Sequence, residues 1–420
     1  MPNRYVVQRP ALPWEITDAV IDHLHSDIRA LGTCSAVCSE WLIRSRHHIF
    51  STIQLWPWRA RRFFELASRS SCTFTHYVSR IEVDDSRGRS NSPPERRSQT
   101  PGRGNEEEVP FSEAMAQSHI PCLAQVTSIQ VRNVDWTALS PVEQTTLREH
   151  LARFSKLTRL EFHDVTFHDL REVVRIVDAF PAIRHLTADI AFMKYLEHTI
   201  ASAATLRLST NLRSLELGTE DGIPVVLSSV TSTGGLGQCQ ELTLKNIKAN
   251  HLQYIRTMLR KARMDLQRLS LGFSRESDLS NAIDLSRLGN LRALHIEGLN
   301  IPGSDCFSAV EESLPSILQR IESSFLEAVE LQFRLQPQGS LQCIEWRRLE
   351  RVFLSLYFFG MGLVRVTIHL GHSVTNKCEA EVEKCLRDAM SELSARGVLQ
   401  VRVLHETHAN TEMSALASKV

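Results

Sequence analysis

The chain has no excess of either charge. Lys and Arg together number 48 and Asp and Glu together number 48, so no global field draws it to nucleic acid or to an anionic membrane surface. Long apolar runs are missing as well. The longest stretch, residues 352–364, is interrupted by Ser355 and by glycines and is too short to span a bilayer. Residues 1–9 are polar and lack the apolar centre of a secretory signal. The nine cysteines fall at irregular spacing and suggest no disulfide framework. These absences lead us to expect a reducing, intracellular setting, cytoplasm or nucleus.

Catalytic signatures are absent too. There is no GxSxG, no HExxH and no Cys/His set with spacing suited to nucleophilic work. Gly234-Gly235-Leu236-Gly237 lacks the Lys-Ser/Thr of a phosphate loop and precedes a strand-like segment, so it reads as a turn. Cys34 and Cys38 stand four apart, as on one helix, with His47-His48 behind them. A zinc site needs four converging ligands, whereas Cys38 belongs to an apolar stripe and the histidines to a basic run, RSRHHIF. The pairs His163-Asp164 and His168-Asp169 fall on a strand-like segment and its turn and read as a polar rim. The expectation is a non-enzyme with no metal and no cofactor.

What the chain does have is a repeat. The pattern apolar, two variable, apolar, one variable, apolar occurs in LTRLEF (Leu157, Leu160, Phe162) and LRSLEL (Leu212, Leu215, Leu217). It returns in LQRLSL (Leu266, Leu269, Leu271) and LRALHI (Leu291, Leu294, Ile296), with weaker copies centred on Ile81, Ile129, Leu186, Leu242, Val329, Val366 and Val401. From Ile129 onward the centres lie 31, 26, 29, 27, 27, 25, 35, 37 and 35 residues apart, a period that marks a stacked architecture. Segments between them carry helical periodicity: EQTTLREHLARF, LREVVRIVDAF and HLQYIRTMLRKAR, the last with Leu252, Ile255, Met258 and Leu259 on one face. A strand, a turn and a helix, iterated, predict a solenoid in which each repeat buries its apolar face only against its neighbours. The strand period turns the apolar triplet inward and the intervening residues outward.

Two other regions differ in composition. Residues 85–110, DSRGRSNSPPERRSQTPGRGNEEEVP, offer almost nothing to bury and read as a disordered insertion, with Ser92 and Thr100 as conceivable phosphate sites. The first fifty-odd residues are apolar at helical spacing. Glu15 suits the first turn of a helix that begins around Pro13, and Ile16, Val20, Ile21 and Leu24 form one stripe. Asp27 is placed to cap a second short helix with Ile28 and Leu31, and a third carries Val37, Cys38, Trp41 and Leu42. Three such helices have too little core of their own, so part of this apolar surface is expected to face a partner.

The stretches LPWEITDAVIDHL and CSAVCSEWLIRSRHHIF resemble the F-box, particularly its fungal type, on Leu12, Pro13, Glu15, Ile16, Val20, Ile21, Leu24, Leu31, Cys34, Val37, Cys38 and Trp41. His25-Ser26 stand where that motif often has Pro. The strand-helix repeats resemble divergent leucine-rich repeats, although the Asn or Cys expected three residues after the last apolar strand position is replaced by Val165, Ile247 and Leu299. The resemblance implies an α/β fold: a short three-helix F-box, then an irregular leucine-rich-repeat-like solenoid with a curved parallel β-sheet and outer helices. It divides the chain into a tail at 1–10, the F-box at 11–55, a first repeat or cap at 56–84, the insertion at 85–110, the repeat domain at 111–408 and a tail at 409–420.

By the same resemblance the chain is a substrate-recognition subunit of a Skp–cullin–F-box ubiquitin ligase. Leu12, Pro13, Ile16, Ile21, Leu24, Leu31, Val37 and Trp41 are the candidates for the Skp-type adaptor interface or for the small core behind it, with Trp41 open to either side. An unknown protein target would meet the concave face of the sheet. The outward residues proposed for it are Arg132, Arg159, Glu161, His163, His185, Asp189, Glu216, Lys245, Arg268, His295, Glu297, Arg365 and His369. Their mixed signs predict recognition through charge pairs and hydrogen bonds, sensitive to salt. A second reading stays open, a non-catalytic solenoid scaffold whose F-box engages no cullin. Nucleic-acid binding through the Arg-rich insertion is disfavoured by the balanced charge, and no membrane partner is expected.

Overall fold

The structure is a computed structural model that describes residues 13–85, 123–193, 211–233, 236–261, 265–274, 283–301, 309–335, 341–355, 360–370 and 379–405. Leu12, residues 86–110 of the expected insertion and both expected tails lie outside the described residues. The chain falls into two compact units, Met1–Glu161 and Phe162–Val420.

The first unit contains helices α1 (Trp14–His23), α2 (Ile28–Cys34) and α3 (Ser39–Ser51), then β1 (Thr52–Leu55), α4 (Pro57–Ala67), β2 (Arg80–Asp84), β3 (Ser128–Arg132) and α5 (Pro141–Leu151). Strand β4 (Arg159–Phe167) begins there and belongs to the second unit from Phe162 on. Pro13 stands just ahead of α1 and Glu15 is the acid of its first turn. Asp27 caps α2, its Oδ1 accepting the Arg29 and Ala30 backbone N–H groups at 3.0 Å each. Two expectations are corrected here. Helix α3 starts at Ser39, so Val37 and Cys38 precede it. Cys34 closes α2, so the two cysteines do not share a helix.

Strand β1 is a third correction, because it lies inside the segment read as wholly F-box. It offers only Ile53 and Leu55 as apolar residues and follows α3 without a turn, so no triplet announces it. It pairs parallel with β2, Ile53 opposite Ile81, and β2 pairs with β3, Ile81 opposite Ile129.

The second unit continues with α6 (Leu170–Asp178), β5 (His185–Phe192), β6 (Ser214–Leu217), α7 (Gly222–Thr233), β7 (Glu241–Ile247), α8 (Leu252–Lys261), β8 (Arg268–Phe273) and β9 (Ala293–Ile301). Then come α9 (Ala309–Gln319), β10 (Ala328–Leu335), α10 (Trp346–Phe353), β11 (Leu363–Leu370), α11 (Glu379–Ala389), α12 (Ser391–Ala395) and β12 (Leu399–His405). From β5 to β12 every strand pairs parallel with the next in the chain. Burial alternates residue by residue along β5 and β10, so one face is core and the other open.

Register aligns Leu186, Leu215, Leu242, Leu269, Leu294, Val329, Val364 and Leu399 in one inward row. The first seven are at most 3% exposed, and burying each contributes about 1.5–3 kcal/mol relative to leaving it in water. The row corrects two predicted centres: Val364 rather than Val366 stands opposite Val329, and Leu399 rather than Val401 opposite Val364. In LVRVTIHL every second residue is apolar, so a slip of two positions preserves both faces and cannot be detected from the pattern. The corrected spacing is a constant 35 residues from Leu294 to Val329, to Val364, to Leu399.

Successive repeats share one joint. The Arg213 carbonyl accepts the N–H groups of Gln240 and Glu241 at 2.7 and 2.9 Å, and Gln240 does the same for Gln267 and Arg268. Gln267 and Arg292 continue the series for Arg292 with Ala293 and for Glu327 with Ala328. Repeats of different length thus begin their strands identically, and the extra residues are accommodated between strands.

The turn residue expected at Val165, Ile247 and Leu299 sits one position earlier. Asp164 and Asn246 have φ of 53° and Gly298 has φ of 76°, as Asn133 has 56°; this left-handed region suits Asn, Asp and Gly. In β7 and β9 the extra residue forms a bulge: Leu244 pairs with Leu271 but Ile247 with Phe273, and Ile296 with Leu331 but Leu299 with Phe333. The Asn246 Nδ2 donates to the Gly218 carbonyl at 2.9 Å, and Asn133 to Asp84 at 3.0 Å. Val165, Ile247 and Leu299 themselves are buried core residues.

A methyl added at Gly298 would stand 2.1 Å from the Phe273 carbonyl oxygen. Gly298→Ala should therefore lower stability by about 1–3 kcal/mol or more, read as a fall in the urea midpoint. Gly289→Ala, where an added methyl meets no atom within 4 Å, should leave the midpoint nearly unchanged.

Candidate functional site

The helices of the first unit form one candidate surface, and the open strand face of each unit is another. In the first unit, helices α1 to α3 pack around Ile21 and Leu31, both wholly buried. Leu24 and Trp41 are half-buried, while Pro13, Ile16 and Val37 are exposed. The predicted adaptor residues therefore divide into a small core and an outer face. That face is larger than expected: Trp14 (72%), Ile28 (68%), Ile43 (61%), Val37 (58%), Ile16 (51%) and Val20 (51%) are all more than half exposed. Trp14 and Ile28 are each the first residue of a short helix, and stripe spacing alone does not mark them as exposed.

With so little apolar core, polar contacts hold the helices together. Asp22 of α1 accepts hydrogen bonds from Arg44 of α3 through both oxygens, Nε to Oδ1 at 2.6 Å and Nη2 to Oδ2 at 2.5 Å. His48 Nε2 approaches Asp22 Oδ1 at 2.7 Å. The bidentate guanidinium geometry is the favourable one for a carboxylate. The hydrogen bonds from Arg44 first and His48 second hold the Asp22 carboxyl well below the usual carboxylate range, and the same contact raises the Arg44 guanidinium.

The second surface is the open face of the strands. In the first unit Arg159 Nε pairs with Glu161 Oε1 at 2.7 Å, and Arg80 Nη2 reaches Gln130 Oε1 at 2.9 Å and Glu161 Oε2 at 3.4 Å. Glu161 and Gln130 are buried by this network, and Arg132 is exposed at the end of β3. In the second unit Lys245 pairs with Glu216 at 2.5 Å, Arg268 with Glu241 at 2.5 Å and Arg365 with Glu330 at 3.3 Å. Glu241 stands opposite Arg268 in strand register, and Glu330 opposite Arg365, so these are cross-strand pairs of the kind worth about 0.2–1 kcal/mol each. Arg365 also donates to Gln400 at 2.8 Å.

The remaining predicted face residues are half-exposed: His163, His185, Asp189, His295, Glu297 and His369. Burial, followed by the nearby Asp164, pushes the Asp189 carboxyl up, while His163 and Lys245 oppose the rise. Glu297 lies over Gly272, where an added methyl would meet Glu297 Oε1 at 2.5 Å. A depression of about 340 Å³ opens between β7 and β11, with Ala293 and Ala328 among its lining and Ser270 and His295 beside them. Ser270, an intervening residue of LQRLSL, and Gln400 complete these contacts, and register brings them beside His295 and Arg365.

Among the described residues no group of His, Cys, Asp and Glu is arranged to hold a metal ion. No described helix is long and apolar enough to cross a membrane.

The Asp22 contact makes the three-helix segment acid-sensitive. Because its folded-state pKa is lowered, its stabilisation is complete above the ordinary carboxylate range, near 3.8, and is lost as pH falls further through the lowered value. Thermal unfolding followed with pH should show wild type above Asp22→Asn at neutrality and the two converging well below pH about 4; a constant gap down to strong acid would contradict the contact.

Compared with protein-family models and with the curated proteins, the chain matches none, so the function of these surfaces is argued from their own chemistry.

Proposed function

We propose that this chain is the substrate-recognition subunit of a Skp–cullin–F-box ubiquitin ligase, acting inside the cell. Its outer face on α1 to α3 binds a Skp-type adaptor, and the open face of its strands receives a target protein. It performs no chemistry; it raises the effective concentration of the target's reacting groups near the ubiquitin carrier.

The supporting observation is the exposure of six large apolar residues on a segment whose core holds only two fully buried ones. Six exposed large apolar side chains in so short a segment support an interaction face there. The F-box-like order of residues in 12–50 supports a Skp-type adaptor as its partner.

The test is co-purification with a Skp-type adaptor. Wild type should retain it. Ile16→Asp combined with Val37→Asp, both exposed and therefore compatible with folding, should weaken capture by about tenfold or more. Failure of the wild type to bind, or equal binding by the double variant, would refute the proposal. Probing the same samples for a cullin separates a ligase subunit from a scaffold whose F-box engages none.

A further inference from the structure

The turn after β7 leans on the turn after β6 through three contacts, and one of them is buried. Asn246 Nδ2 donates to the Gly218 carbonyl at 2.9 Å, and Lys248 Nζ pairs with Glu220 Oε2 at 2.5 Å. The third is His251, which is wholly buried at the head of α8. Its backbone N–H donates to the Lys248 carbonyl at 3.0 Å, and its ring Nδ1 accepts the Lys248 N–H at 3.2 Å. The Glu220 backbone carbonyl faces the same ring. Helix α8 packs on α7, so the head of α8 is where one repeat is fastened to the one before.

A ring that accepts through Nδ1 is neutral and carries its proton on Nε2. Nε2 is buried without a hydrogen bond of ordinary geometry, although the Glu220 carbonyl lies near enough to favour the charged ring. A second proton would set Nδ1–H against the Lys248 N–H, donor against donor, and leave a charge in a buried place. Two charged side chains face the ring: Lys248 opposes that proton and Glu220 favours it. Burial is the largest influence and holds the imidazole below its ordinary value of 6.5.

We infer that His251 is an acid-sensitive latch between two successive repeats: a proton on its ring frees the head of α8 from the turn after β6. In a stack whose repeats touch only their neighbours, such an opening stays local. Because the ring is held neutral in the closed form, the latch is fully closed above pH 6.5. It weakens as pH falls below that value, where the open form binds the extra proton. Strands β6 and β7 also carry the Glu216–Lys245 pair of the open face. The latch therefore sits on the strands proposed to receive a target, but it does not depend on that role.

The test is hydrogen–deuterium exchange on the full chain from pH about 7.5 to about 5, corrected for the pH dependence of the chemical exchange rate. Opening of residues 246–261 should rise by up to about tenfold per pH unit below pH 6.5. Helix α10, which holds no histidine, should stay flat over the same range. His251→Asn keeps an acceptor for the Lys248 N–H and cannot take the proton, so its opening should not follow pH. The wild-type slope decides even if this substitution opens α8 at neutrality. No rise in the wild type, an equal rise across α10, or the wild-type slope in His251→Asn would overturn the latch.

Discussion

The second unit depends on one constraint: a strand carrying a single apolar row can bury it only against the strands beside it and the helices behind. Leu215 has no core of its own; Leu186 and Leu242 supply it. The paired N–H groups donated to one carbonyl, as from Gln240 and Glu241 to Arg213, keep each new strand starting at the same level. Because the joint is fixed, the interval between inward residues of the row runs from 25 residues, Leu269 to Leu294, to 35, Leu294 to Val329, without disturbing the row. Length is free to vary where it does not touch the core.

The same register organises the polar side. Parallel strands in phase bring Glu241 against Arg268 and Glu330 against Arg365, so charges far apart in the chain neutralise one another on the face. Bulges at Asn246 and Gly298 complete the strands, and their side chains or lack of one decide how closely the next strand can approach. A polar face with several matched charge pairs results, and its outward row passes through Ala293 and Ala328.

Much of this was legible in the sequence, and the illegible parts share a cause. Apolar alternation in LRSLEL or LQRLSL exposes a strand directly, because burial imposes a period of two. Strand β1 has only Ile53 and Leu55 and offers no period to read. The centres of β11 and β12 were displaced by two residues, a shift that alternation cannot detect. The left-handed residues escaped because Asp164, Asn246 and Gly298 differ in type while sharing a backbone conformation. For the helical segment, an excess of apolar side chains was readable, but which of them face outward depends on packing. Leu31 and Val37 look equally apolar in sequence and differ completely in exposure. The Asp22–Arg44 contact joins residues 22 positions apart, with nothing local to announce it.

The proposed role joins these surfaces in one chain: a helical segment with exposed apolar residues and a polar strand face on which several charges are paired. The direct measurement of its central claim is hydrogen–deuterium exchange on the full chain, with and without a purified Skp-type adaptor. The account predicts new protection across the helical residues 14–51 and unchanged exchange on β7 to β11. Unaltered exchange in those helices at saturating adaptor, or protection appearing on the strands instead, would contradict it.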